Sequence, residues 1–157
     1  GIYSMMAGCS FFSIVFKHTL ADIISRACAP LGACFTLATL ITGSIWGKPT
    51  WGTWWAWDPR ITSMLVLFLF YSLYLLSWRI FDKQKAINIS SCLALIGVIN
   101  VPIIKYSVNW WATLHQPSSI KILSGSAIHS SMLTPLFLMT ASFALFSVLI
   151  FLMKYLL

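Results

Sequence analysis

The sequence predicts an all-α fold, a polytopic transmembrane helical bundle, and three observations carry that expectation. Of its 157 residues 59% are hydrophobic and only 8% charged, where a soluble domain carries about a quarter charged residues. The apolar residues come in long continuous runs rather than in alternation, which argues for helices and against a membrane β-barrel. The ten Lys and Arg residues fall singly between those runs and give a net charge of +7. Scattered cations of this kind point to membrane sidedness or an anionic ligand rather than nucleic acid.

Five runs follow in order: Ile2–Phe16, Ala27–Trp46, Ile61–Trp78, Ala86–Ile104 and Met132–Met153. At about 1.5 Å per residue the last four reach roughly 27–33 Å, enough for a hydrocarbon core of about 30 Å. The first reaches only about 22 Å on the same rise, as a truncated helix would. The chain begins with Gly1 inside an apolar run, so an N-terminal portion is expected to precede it. Pro30 and Pro135 are expected in the first turns of their helices or just beyond, where a missing N–H costs little. Pro102 should bend or end the fourth run. The four cysteines, at 9, 28, 34 and 92, form no C-x-x-C pair and read as small buried apolar residues. The chain is expected to form a single membrane domain over 1–157.

Counting cations between runs places Lys17, Arg26, Arg79, Lys83, Lys85 and Lys154 on one side and Lys48, Arg60, Lys105 and Lys121 on the other. The six-to-four bias makes the first side the inner one. The outer segments, 46–60 and 105–131, then hold nearly all the unusual chemistry. Acid–base catalysis has little to build from. There is no Glu, and the three acids, Asp22, Asp58 and Asp82, are far apart in sequence.

Trp46, Trp51, Trp54, Trp55 and Trp57 are five of the chain's eight tryptophans and lie within twelve residues. An interfacial aromatic belt accounts for one or two at a helix end, but poorly for five interleaved with Gly47 and Gly52. If the segment is helical, Trp51, Trp54, Trp55 and Asp58 share one face and form an indole platform for a flat, apolar ligand. Asp58-Pro59 before an apolar run reads as an N-cap with proline at the first helical position. Arg60 either pairs with Asp58 or meets a ligand carboxylate.

The other outer segment carries Trp110, Trp111 and His115; on a helix Trp111 and His115 would face together. An imidazole above indoles can ligate the iron of a porphyrin. His129 has only small polar neighbours, and His18 lies on the opposite side, so both read as ordinary polar residues.

The stretch W-G-T-W-W-A-W-D-P-R-I-T-S at 51–63 resembles the WWD signature of haem-handling membrane proteins. With T-G-S-I-W-G-K-P at 42–49, V-I-N-V-P-I-I-K-Y-S-V-N-W-W at 98–111 and T-L-H-Q-P at 113–117, the chain is similar to the cytochrome c maturation family CcmC, or haem exporter protein C. The likeness runs from Gly1 to about residue 135. Ala112 stands where many members have Asn, and Pro59 where many have Ala.

The resemblance implies six family helices, of which this chain holds about five. It implies haem b presented at the outer face, periplasmic or intermembrane-space, to the haem chaperone CcmE, with CcmD and the ABC transporter CcmAB as partners. It also implies an inner-membrane location, with the loop after His115 more like mitochondrial members. The WWD loop would support the haem and two outer histidines would ligate its iron. His115 matches the second; the first would precede Gly1, with His129 a remote substitute.

In that reading the indoles supply stacking, His115 an iron ligand, and Lys48, Arg60, Lys105 or Lys121 a propionate partner. The protein is then a carrier and transfer factor, not an enzyme. The alternative is a structural or transport subunit of a membrane complex without haem. A channel would be expected to carry ionisable residues within its spans, and a haem redox enzyme histidine pairs within helices. The five runs contain neither.

Overall fold

The computed structural model describes residues 1–111, 114–115, 120–121, 125–126 and 129–156. In chain order the elements are α1 (Ile2–Phe16), α2 (Thr19–Trp51), α3 (Pro59–Ile80), α4 (Lys83–Val98), α5 (Asn100–Trp110), β1 (Ile120–Lys121), β2 (Gly125–Ser126) and α6 (Ser130–Leu156). The chain divides into two compact units, Gly1–His115 and Gln116–Leu157. Among the described residues four helices are long and apolar enough to cross a membrane: Thr19–Trp51, Pro59–Ile80, Lys83–Trp110 taken together, and Ser131–Met153. The all-α expectation therefore holds, with the two-residue antiparallel pair β1–β2 as its only departure among the described residues.

The first run is α1 to the residue. It stops because Lys17 turns left-handed, at φ 51°, a conformation that costs an L-residue roughly 1–2 kcal/mol. That turn reverses the chain with only His18 left before α2 begins.

α2 departs most from expectation. It starts at Thr19 rather than Ala27, so Pro30 lies well inside it and not in its first turn. The physical reason lies in the polar residues that mask the helix start. Asp22 is buried with Arg26 and Lys83 as its electrostatic neighbours. The Arg26 guanidinium sits 3.9 Å from the centre of the Trp78 ring, a favourable cation–π contact. Asp22 and Arg26 lie in the first turns of α2, at the end of the unit where Lys83 and Trp78 also sit. At about 1.5 Å per residue the 33 residues of α2 run to about 50 Å, well past the hydrocarbon core.

The fourth run breaks as Pro102 requires. Its missing N–H would have bonded the Val98 carbonyl, and α4 ends at Val98 while α5 begins at Asn100. Asn100 then donates from its side chain to the Ser63 carbonyl at 2.7 Å, tying α5 to the first turns of α3.

In the Gly1–His115 unit α1 packs on α2 and α4, and α3 packs on α2, α4 and α5. Tyr3, Met6, Cys28, Ala29, Leu67, Tyr71, Tyr74 and Ala94 form the buried cluster. Two glycines admit the tyrosines: a Cβ on Gly32 would meet the Tyr71 ring, and one on Gly97 the Tyr3 hydroxyl. Ser10, Ser25 and Tyr74 form a buried hydrogen-bond chain, with oxygen separations of 2.8 and 2.9 Å. Of the cysteines only Cys28 is buried; Cys34 and Cys92 face outward. Asp58 caps the first turn of α3 and Trp78 lies near its last. Arg26 and Lys83 therefore gather at one end, and Lys48 and Arg60 at the other, as the cation count expected.

Candidate ligand-binding site

The segment between α2 and α3 is shorter than the expected 46–60. α2 runs on to Trp51 and ends at Gly52, whose φ of 78° is the left-handed conformation glycine adopts freely. Its N–H donates to the Lys48 carbonyl at 3.0 Å. Residues 52–58 are therefore not helical, and the single face carrying Trp51, Trp54, Trp55 and Asp58 does not form. Trp111 corrects likewise: it is the extended residue that ends α5, at φ −128°. Trp111 and His115 share no helix face.

An open cleft forms instead, about 510 Å³ when the solvent space at its mouth is counted. Thr39, Leu40, Gly43 and Ser44 of α2 form one wall, and Arg60, Ile61 and Met64 of α3 another. Trp51, Trp54, Ala56 and His115 complete it. The His115 ring stands edge-on to Trp51 at 4.9 Å and 70°. Trp46 also meets Trp51 edge-on, at 5.3 Å.

Asp58 organises this end of the unit. As the N-cap of α3, its Oδ1 accepts from the Arg60 N–H at 2.9 Å. Its Oδ2 accepts from the Leu114 N–H at 2.8 Å. The His115 Nδ1 lies 3.2 Å from Oδ1, with the Asp58 side chain 1% exposed and that of His115 22%. A buried carboxylate needs such donors to replace its lost water, and the start of α3 adds a favourable dipole. No carboxylate–guanidinium pair forms between Asp58 and Arg60 among the described residues; Arg60 keeps its side chain exposed beside the cleft.

The remaining predicted site residues lie off the cleft. Trp55 packs on Trp57 at 5.7 Å, and its indole N–H is buried without an acceptor among the described residues. Trp57 is 77% exposed. Trp110 stacks on Tyr106 at 5.7 Å and meets Trp111 edge-on. Among the four basic residues expected near a ligand, Arg60 lines the cleft. Lys48 lies 5.8 Å from the Trp54 ring and donates to the Gly52 carbonyl. Lys105 rests by Tyr106; the Lys121 side chain lies outside the described residues. So do residues 112–113 and 116–119 of the T-L-H-Q-P region. His129 bonds Ser131 at 2.8 Å within the second unit.

Sequence reasoning missed the α2 wall. Its positions 39, 40, 43 and 44 repeat at helical spacing, the one signal that could have marked them. It also missed the link from Asp58 to His115.

The first unit of this multi-pass, membrane-type helical protein thus brings together a tryptophan-walled cleft and one histidine held by a buried carboxylate. No group of three or more metal-ligating His, Cys, Asp or Glu occurs among the described residues. A family model described as CcmC, haem exporter protein C, matches residues 1–156. The haem exporter protein C of Bradyrhizobium diazoefficiens is 46% identical over 92% of this chain and 55% of that protein. A putative cytochrome c biosynthesis ccmC-like mitochondrial protein of Marchantia polymorpha is 51% identical over 90% of this chain and 60% of its own length. The haem exporter protein C of Escherichia coli is 50% identical over 76% of this chain and 49% of that protein. This chain is a member of the haem exporter protein C family, and it spans about half to three-fifths of the length of these curated relatives.

Proposed function

We propose that this chain holds haem b at the outer face of an inner membrane and presents it to the haem chaperone CcmE, as a carrier rather than an enzyme. The observation that carries the reading is the cleft itself. Apolar and indole walls, one imidazole and one guanidinium meet there. A macrocycle that already supplies four nitrogens to its iron needs only axial ligands from protein, so one histidine suits haem where it would not suit a bare ion.

Each side chain then has a task that follows from its place. Trp51 and Trp54 bury an apolar ring face. Arg60 offers a planar, permanently charged fork to a propionate. His115 would hold the haem iron through its imidazole. Bound haem contributes the reactive vinyl group. The exposed Trp57 and Trp110 offer an amphipathic rim for a partner. CcmE is the receiver in this reading, with CcmD and CcmAB as further partners; relatives named as bacterial and mitochondrial proteins support the membrane assignment.

Ferric haem titrated into the full-length membrane protein should give a low-spin absorption spectrum that His115→Ala weakens. An unchanged spectrum in that variant removes His115 as the ligand.

A further inference from the structure

We propose that Asp58 is a positioning residue: it selects Nε2 of His115 as the iron-ligating nitrogen and strengthens that nitrogen's donation to ferric iron. The inference rests on the haem reading and goes beyond it by assigning the cap of α3 a part in ligand electronics.

The geometry supports both halves. A carboxylate only accepts, so the hydrogen of the 3.2 Å Nδ1–Oδ1 contact is on Nδ1. The imidazole lone pair is then on Nε2. Asp58 cannot swing away from this duty. Its Oδ1 also takes the Arg60 N–H and its Oδ2 the Leu114 N–H. Leu114 directly precedes His115, so one carboxylate fixes both the backbone and the ring of the ligand-bearing segment. With the Asp58 side chain 1% exposed, water hardly screens its charge from the ring. A carboxylate on the far nitrogen raises the basicity of a ligating histidine, and losing such a partner typically costs about 10–100-fold in metal affinity. The higher charge of ferric iron makes the ferric form the more dependent on it.

A cap with no further role makes a different prediction. Asn caps a helix about as well as Asp, but its one amide oxygen can serve only one side of this site, so Asp58→Asn removes the charge together with one of the two acceptors that Arg60 and Leu114 use. In the full-length membrane protein, Asp58→Asn should weaken ferric haem binding about tenfold or more while ferrous binding changes less. A tenfold difference between the two forms raises the midpoint potential by about 59 mV for a one-electron couple. Titration of ferric and ferrous haem, with a redox titration of the loaded protein, reads this directly. Unchanged affinity and potential overturn the proposal, provided that wild-type protein binds haem through His115.

If wild type shows no His115-dependent spectrum, the haem reading itself fails. Should Asp58→Asn lose affinity through misfolding, a double-mutant cycle decides. In a His115→Ala background, Asp58→Asn should leave the residual haem affinity unchanged. The full loss persisting in that background overturns the proposal.

Discussion

Asp58 and the tryptophans mark what a local pattern can and cannot disclose. The cap of α3 is legible because Asp-Pro before an apolar run is a local signal, and its Oδ1 accepts the Arg60 N–H as expected. The contact with His115 spans 57 residues, and no periodicity encodes it. The platform of four side chains on one face fails for a local reason that was available in the sequence. Gly52 takes a positive φ and stops α2, so the helical register ends before Trp54. A sorting of the tryptophans follows. Replacing Trp51 or Trp54, which wall the cleft, by Ala should weaken haem binding about threefold to tenfold, the equivalent of a lost aromatic contact of roughly 0.5–1.5 kcal/mol. Replacing Trp57, which does not line the cleft, should leave haem affinity nearly unchanged, and equilibrium haem titration of the variants checks the contrast.

At the scale of elements, the helices were legible wherever hydropathy was unbroken and mislocated where polar residues were paired inside the bundle. α1 matches its run, while α2 begins eight residues early because Asp22 and Arg26 find partners. The break between α4 and α5 was legible through Pro102, but not its use: Asn100 at the break bonds Ser63 and so holds α5 against the α3 end that carries Asp58. Close packing between elements was not legible at all, because a glycine that admits a ring looks like any other. Gly32→Ala would set a methyl group against the Tyr71 ring. It should destabilise the detergent-solubilised protein by about 1–3 kcal/mol, as overpacking does. Gly43 meets nothing within 4 Å of an added Cβ, so Gly43→Ala should be within about 0.5 kcal/mol of wild type, or slightly more stable, since alanine favours helix. Thermal unfolding of the two variants side by side measures the difference.

For the molecule as a whole, charge counting and hydropathy conveyed the most. The membrane class, the helical runs and the grouping of cations at the two ends of the first unit followed from composition and order alone. Family membership extends across residues 1–156. What composition could not give is a cleft assembled from residues 39 to 115, since that depends on how α2 and α3 meet. The proposed orientation puts Trp57 outside and Lys83 inside. In a background without the four native cysteines, Trp57→Cys should react with a membrane-impermeant maleimide added to the outer side, and Lys83→Cys only once the membrane is opened. The reverse pattern inverts the orientation.

The central claim is tested most directly by a cryo-electron microscopy structure of the full-length protein loaded with haem. The account predicts a macrocycle against Trp51 and Trp54, with iron bonded to Nε2 of His115 and Asp58 still on Nδ1. Haem density seated elsewhere, or iron without a bond to His115, would contradict it.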